Sequence, residues 1–210
     1  RLSALANTET PYSNESMPMC TQKCLLTLLQ QKRQYLSPAQ KAELLKEQGY
    51  ATGGFGKWGC GGRDSTGVPE KHGFDVFFGY YDQVHAHSFY PPYLIRNSEE
   101  VPLKGNVGGR SGETHAQYPI MEEALKFIRE NKDNPFFCYL PITPPHGMYD
   151  IPKNDPAWKL YEGEKWIAGP AIPQDVKNYA AMVSMVDHNV GQVLDLLREL
   201  KLEENKLMEP

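Results

Sequence analysis

The sequence is short of several things, and each shortage excludes a class. Among 210 residues there is no long basic run, and 22 Lys and Arg stand against 26 Asp and Glu for a net charge of −4. That balance excludes nucleic acid as a partner, because phosphate binding needs a concentrated positive face. No run of about 18 apolar residues occurs, so no membrane-spanning helix is expected. Four cysteines, Cys20, Cys24, Cys60 and Cys138, are too few for a disulfide scaffold. The Cys20-x-x-x-Cys24 spacing matches no common zinc pattern. Aspartate is missing from the first 63 residues; Asp64 is the first. The chain opens on Arg1 rather than Met and closes on Leu207-Met208-Glu209-Pro210, and it reads as a piece of a longer protein.

What is present is an α/β pattern. Residues 1–36 form a polar arm or divergent segment, with one short helix expected from Cys24 to Gln34. Residues 37–210 carry the periodic elements. Ser37 is a good helix N-cap, Pro38 suits the first helical position and Gly49 a C-terminal stop. The next stretch, Tyr50 to Trp58, reads as a strand despite Gly53, Gly54 and Gly56. A strand so rich in glycine is expected where another backbone or a ligand comes close. Gly59 to Tyr118 shows little periodicity and many aromatics, and reads as one long loop packed on itself. Ile120 to Glu130 is an amphipathic helix. Phe136-Phe137-Cys138-Tyr139-Leu140, bounded by turn residues, reads as a buried strand of a parallel sheet. Val176, Tyr179, Ala180, Val183, Val186, Val190, Val193, Leu194, Leu197 and Leu200 recur at three- and four-residue steps. They predict one helix from Gln174 to Leu200 with that stripe facing the core.

Helices alternating with strands point to a mainly parallel sheet flanked by helices. Ligands of such folds bind beyond the C-terminal ends of the strands. Two side chains that carry chemistry fall there. Lys57 follows the glycine-rich strand and offers a compact cation to an anion. His146 follows Pro144-Pro145, which restrict the backbone before it. His85 and His87 would face one way on a strand and could share a metal, although no third ligand completes the set. Asp187-His188, beside the helix stripe, reads as partly buried and structural.

Taken together, these segments resemble the arylsulfatase-type sulfatases. The residues that carry the likeness are Gly49-Tyr50-Ala51-Thr52 through Gly56-Lys57-Trp58, and Lys71-His72-Gly73-Phe74-Asp75-Val76-Phe77-Phe78-Gly79-Tyr80. Asn134 to Leu140 with Thr143-Pro144-Pro145-His146, and Tyr179 to Asp187 with Val190-Gly191, complete it. The likeness runs from about Glu43 to Asn205, and exported bacterial enzymes of the family look most similar. It implies a partial alkaline-phosphatase-like α/β sandwich, with residues 37–210 a part of the catalytic domain. It also implies hydrolysis of small-molecule or saccharide sulfate esters, and a periplasmic or exported location. A formylglycine made from C-x-P-S-R and a calcium ion held by an Asp pair and a later Asp-Asn pair are implied as cofactors. Lys57 of G-K-W and His146 of P-H would contact the sulfate.

The sequence departs from this pattern in ways that bear on activity. The family's G-K-W-H is Gly56-Lys57-Trp58-Gly59, so a second basic side chain is missing. C-x-P-S-R is absent, and Cys20 to Thr27 is only a distant echo of it. Neither an early Asp pair nor a D-N-G motif is present. The expectation is a sulfuric-ester hydrolase whose nucleophile and calcium ligands lie outside this chain, so that the chain alone is inactive. The alternative is a remnant that binds sulfate esters without turning them over.

Overall fold

The computed structural model describes residues 36–165 and 174–205. The arm, the helix expected at Cys24–Gln34, and both Cys20 and Cys24 lie outside the described residues. Helix α1 spans Pro38–Glu47. Its start is fixed by a capping box: the Gln40 N–H donates to Ser37 Oγ at 3.3 Å and the Ser37 N–H to Gln40 Oε1 at 2.9 Å. Gly49 follows at φ +81° and turns the chain into strand β1, Ala51–Lys57.

The sheet has five strands in the order β4-β3-β2-β1-β5. Strand β2 is Val76–Tyr80, β3 is Tyr93–Arg96, β4 is Glu99–Pro102 and β5 is Phe136–Tyr139. β1 pairs in parallel with β2 and with β5. β3 and β4 extend the sheet as an antiparallel hairpin. The α/β class with helices against a sheet is therefore observed, with its parallel part concentrated around β1.

The glycines of β1 answer to a close backbone. In the register, Gly56 lies opposite Gly79 of β2. A Cβ on Gly79 would sit 1.9 Å from the Gly56 carbonyl oxygen, and one on Gly56 would sit 2.3 Å from that of Pro141. Side chains at either position would force the strands apart.

Helix α2, Gln117–Glu130, covers one face of the sheet through Ile120, Ala124 and Phe127. The Phe127 ring lies 5.4 Å from that of Phe55. On the other face Phe74 packs against Phe137 and Tyr139. α1 is tied to this region by Lys46, 2.7 Å from Asp75, whose carboxylate also accepts from the Thr52 N–H and hydroxyl at 2.9 Å. Burial pushes the Asp75 carboxyl up, but the hydrogen bonds from Lys46 and Thr52 outweigh it and hold the group below the usual range. A short helix α3, Pro156–Lys159, and the long α4, Gln174–Glu199, complete the described residues.

Four expectations need correction. The long loop from Gly59 to Tyr118 contains β2, β3 and β4. Asn97 and Ser98 both take positive φ (44° and 71°) between Arg96 and Glu99, the two-residue turn that suits a twisted hairpin. Strand β5 is half-buried throughout rather than fully buried, because it is the sheet's edge among the described residues. The apolar stripe of α4 is turned in its first half. Val176, Tyr179, Val183 and Val190 are exposed, while Lys177, Asn178, Ala181, Met182, Met185 and Asn189 face inward. Two of the inward polar groups are satisfied by distant carbonyls: Lys177 Nζ donates to Glu162 O at 2.8 Å and Asn178 Nδ2 to Tyr149 O at 2.8 Å, whereas Asn189 Nδ2 meets no acceptor among the described residues. Asp187 is exposed, not partly buried.

Candidate functional site

Three connections leave the C-terminal ends of β1, β2 and β5 at one edge of the parallel sheet. Backbone hydrogen bonds bind them to one another. The Lys57 N–H donates to Pro141 O at 2.8 Å, the Trp58 N–H to Tyr80 O at 2.8 Å and the Gly59 N–H to Tyr81 O at 2.9 Å. The end of β1 is thus held between the chain that follows β2 and the loop that leads to His146. Trp58 anchors the segment further, with Nε1 donating to Gly67 O at 2.6 Å and its ring edge-on to Phe74 at 5.5 Å.

Lys57 and His146 are both displayed at this rim, and the turn at residues 82–88 reaches each of them. Lys57 Nζ donates to Gln83 Oε1 at 3.0 Å. The exposed His146 ring stacks on the exposed His87 ring, with centroids 5.5 Å apart and planes at 11°. The turn itself is braced: Asp82 Oδ1 accepts from the His85 N–H at 2.8 Å, and the Tyr80 hydroxyl donates to Ser88 O at 2.7 Å. His146 follows a cis Pro144–Pro145 bond, and its N–H donates to Thr143 O at 3.1 Å.

His85 and His87 do not form a metal pair. They lie in a single 3₁₀ turn, His85–His87, not on a strand. At three residues per turn, i and i+2 point roughly 120° apart. His85 packs between Tyr80, at 5.1 Å, and Tyr93, at 4.7 Å. Burial pushes its pKa down, against the pull of Asp82. His87 goes the other way, to His146.

Gln83 and His87 are the site neighbours that sequence reasoning missed as such. Pattern alone offers no sign of Gln83. His87 was visible only as half of a His-x-His pair, and its true partner is 59 positions away.

The described residues do not fit the calcium ion and formylglycine that the resemblance implies. Among the described residues no group of three or more His, Cys, Asp or Glu could hold a metal. Cys138 is a poor nucleophile in β5, since burial pushes its thiol up to about 12. Cys60 is exposed. Two cavities, of about 330 and 900 Å³, lie elsewhere, one beside Arg63, His85 and Glu100 and the other between α2 and α4. Neither is lined by Lys57 or His146. Chemically the rim offers an ammonium, a primary amide and two imidazoles, a set suited to hydrogen-bonding an oxyanion.

The comparisons with known proteins agree with the fold. A dog (Canis lupus familiaris) N-acetylgalactosamine-6-sulfatase is 30% identical over an alignment of 177 positions that covers 78% of this chain and 30% of that one. An ulvan-active sulfatase of Formosa agariphila is 25% identical over 185 residues, covering 80% of this chain and 33% of the relative. Mammalian and bacterial relatives thus both match, which does not single out a bacterial source. The crystal structure of Ps i-CgsB in complex with k-i-k-neocarrahexaose superposes with a TM-score of 0.60 at 24% identity. That match covers 77% of this chain and 36% of the other, and it speaks for the fold alone. The chain spans about a third of the length of these relatives. The family model described as Sulfatase matches residues 3–208, nearly the whole sequence, and the chain belongs to the sulfatase family.

Proposed function

We propose that this chain forms the sulfate-facing part of a sulfuric-ester hydrolase, in which Lys57 and His146 contact the sulfate group of a sulfated saccharide. The observation that carries the reading is the rim itself. A cation and an imidazole stand where strands β1 and β5 end, and one braced turn joins them. Lys57 would place a compact charge against sulfate oxygens, and His146 would hydrogen-bond the bridging oxygen as charge develops there. The saccharide class is taken from the relatives, whose names include an N-acetylgalactosamine-6-sulfatase and an ulvan-active sulfatase.

Alone, the chain binds sulfate esters without turning them over. Sulfate esters are slow to hydrolyse, and useful catalysis needs roughly 20 kcal/mol of barrier reduction. A positioned acid or base supplies about 10²–10⁴-fold, and one electrostatic donor about 3–4 kcal/mol. Lys57 and His146 fall far short of the total without a nucleophile and a metal. The absence of C-x-P-S-R from the sequence favours this binding-only reading for the chain as it stands. The test is hydrolysis of 4-nitrophenyl sulfate by the full chain, with calcium present. The expected result is no release of nitrophenol above the uncatalysed rate. Turnover that disappears in His146→Ala would overturn the inactivity.

A further inference from the structure

We propose that Gln83 is a third sulfate-contacting residue beside Lys57 and His146, paired with Lys57 and lying in the space over Gly59 that a larger side chain would fill. The inference rests on the reading of Lys57 as the sulfate's cation, and it adds a ligand that sequence pattern does not reveal. Three observations carry it.

First, Gln83 is already engaged with that cation, its Oε1 accepting from Lys57 Nζ at 3.0 Å. An amide whose oxygen is taken up by an ammonium keeps both N–H donors of Nε2 for another acceptor. Charged and neutral donors then stand side by side, and an oxyanion with several oxygens can accept from both.

Second, Nε2 lies where position 59 would project. A Cβ on Gly59 would come within 2.6 Å of Gln83 Nε2. Gly59 also has φ +77° and is held there by its N–H bond to Tyr81 O, so any L side chain is strained at that position. The backbone therefore excludes a side chain at 59 and leaves the space to the amide from across the rim.

Third, the turn that carries Gln83 is not a loose surface loop. The Asp82 and Tyr80 hydrogen bonds fix its two ends, and its far end sets His87 against His146. Gln83 is itself exposed, with its tip open to a ligand at the same edge as Lys57.

The experiment titrates the full chain with inorganic sulfate and with 4-nitrophenyl sulfate. Affinity is read by calorimetry, and the Gln83 side-chain amide is followed by ¹⁵N–¹H NMR. In the wild type the amide pair should shift saturably, with the same midpoint as the heat. Lys57→Ala should abolish binding, and Gln83→Ala should weaken it about 5- to 10-fold. Gln83→Glu keeps an acceptor for Lys57 but replaces the donors with a carboxylate, and should weaken binding more than Gln83→Ala. Gly59→Ala should match Gln83→Ala, and the double variant should be no weaker than either single one, because both remove the same contact. Suppose Lys57→Ala loses binding while Gln83→Ala stays within twofold and the amide signals do not move. Then Gln83 is not a sulfate ligand, although the reading of Lys57 stands. If the wild type binds neither probe, both readings are overturned.

Discussion

Strand β1 and the residues that follow it form two regions that obey different rules, a packed interior and a half-buried rim. From Thr52 to Gly56 every residue is buried, and what matters is the space between backbones. At Lys57 to Gly59 the same chain is only half-buried, and what matters is which donors face outward. The interior tolerates almost no added atom, whereas the rim holds its backbone by hydrogen bonds and turns the Lys57 side chain outward to Gln83. Stability and ligand binding should therefore come apart between regions only a few residues distant. Three tests, beginning with the largest effect, probe that separation.

Gly79→Ala should be the most damaging single change in the sheet. Its Cβ would sit 1.9 Å from the carbonyl oxygen of Gly56, and φ at this residue is +154°. The clash is with backbone, so no side-chain rotation relieves it, and β1 must move away from β2. A loss of about 4 kcal/mol or more is expected, at the exceptional end for a point change. Gly191→Ala is the matched control. It lies in the interior of α4 with nothing within 4 Å of a new Cβ, and should instead gain about 0.5–1 kcal/mol. Urea denaturation of both variants checks the contrast; equal effects would mean that the backbone approach does not constrain the sheet.

The next effect is conditional on pH. His115 is fully buried, stacked on Phe89 at 5.2 Å and met edge-on by Tyr90 at 5.4 Å. Burial pushes its pKa down to about 4 from 6.5, against the Asp150 carbonyl, which pulls it up. Between those values the unfolded chain takes up the proton and the folded chain does not. Stability therefore falls as pH drops from 6.5 towards 4, and above 6.5 the penalty is absent. At about 1.4 kcal/mol per unit, the loss approaches 3 kcal/mol at the acid end. Unfolding midpoints of the wild type and His115→Gln across this range give the answer. The variant should be weaker at pH 7 yet show the shallower acid slope; parallel slopes would remove His115 as the cause.

The same division explains what could be read from the sequence. α1 was legible to the residue, because Ser37, Pro38 and Gly49 act locally. So was the need for something close to β1, another backbone or a ligand, since few other causes put so much glycine in a strand; the structure shows that at Gly56 it is backbone. The extent of α4 was legible, but not its facing. Periodicity shows that Val176, Tyr179, Val183 and Val190 share a side, but not which side the molecule covers. That was decided by distant partners, Glu162 for Lys177 and Tyr149 for Asn178. The β3–β4 hairpin was missed because four-residue strands are too short to show alternation. At the rim, Lys57 and His146 were singled out by their places after the strands and by motif resemblance, while the turn that joins them was not. Gln83 meets Lys57 from 26 positions away, and no local pattern encodes that contact.

The smallest effect belongs to the rim and is the most direct test of the comparison. His87 is exposed and, among the described residues, stacks against one ring, the exposed His146, 5.5 Å away. It lies in a turn whose hydrogen bonds come from Asp82 and Tyr80 and do not use its imidazole. Removing the ring leaves no cavity and orphans no buried donor, the two usual sources of a large loss. His87→Ala should thus change unfolding free energy by no more than about 0.5 kcal/mol. It should nevertheless free the His146 ring from its stack, which is visible as a shift of the His146 ring protons in NMR. A loss of 2 kcal/mol or more would place His87 among the structural residues, as burial already places His85, and would move the boundary between interior and rim outward by a full turn of chain.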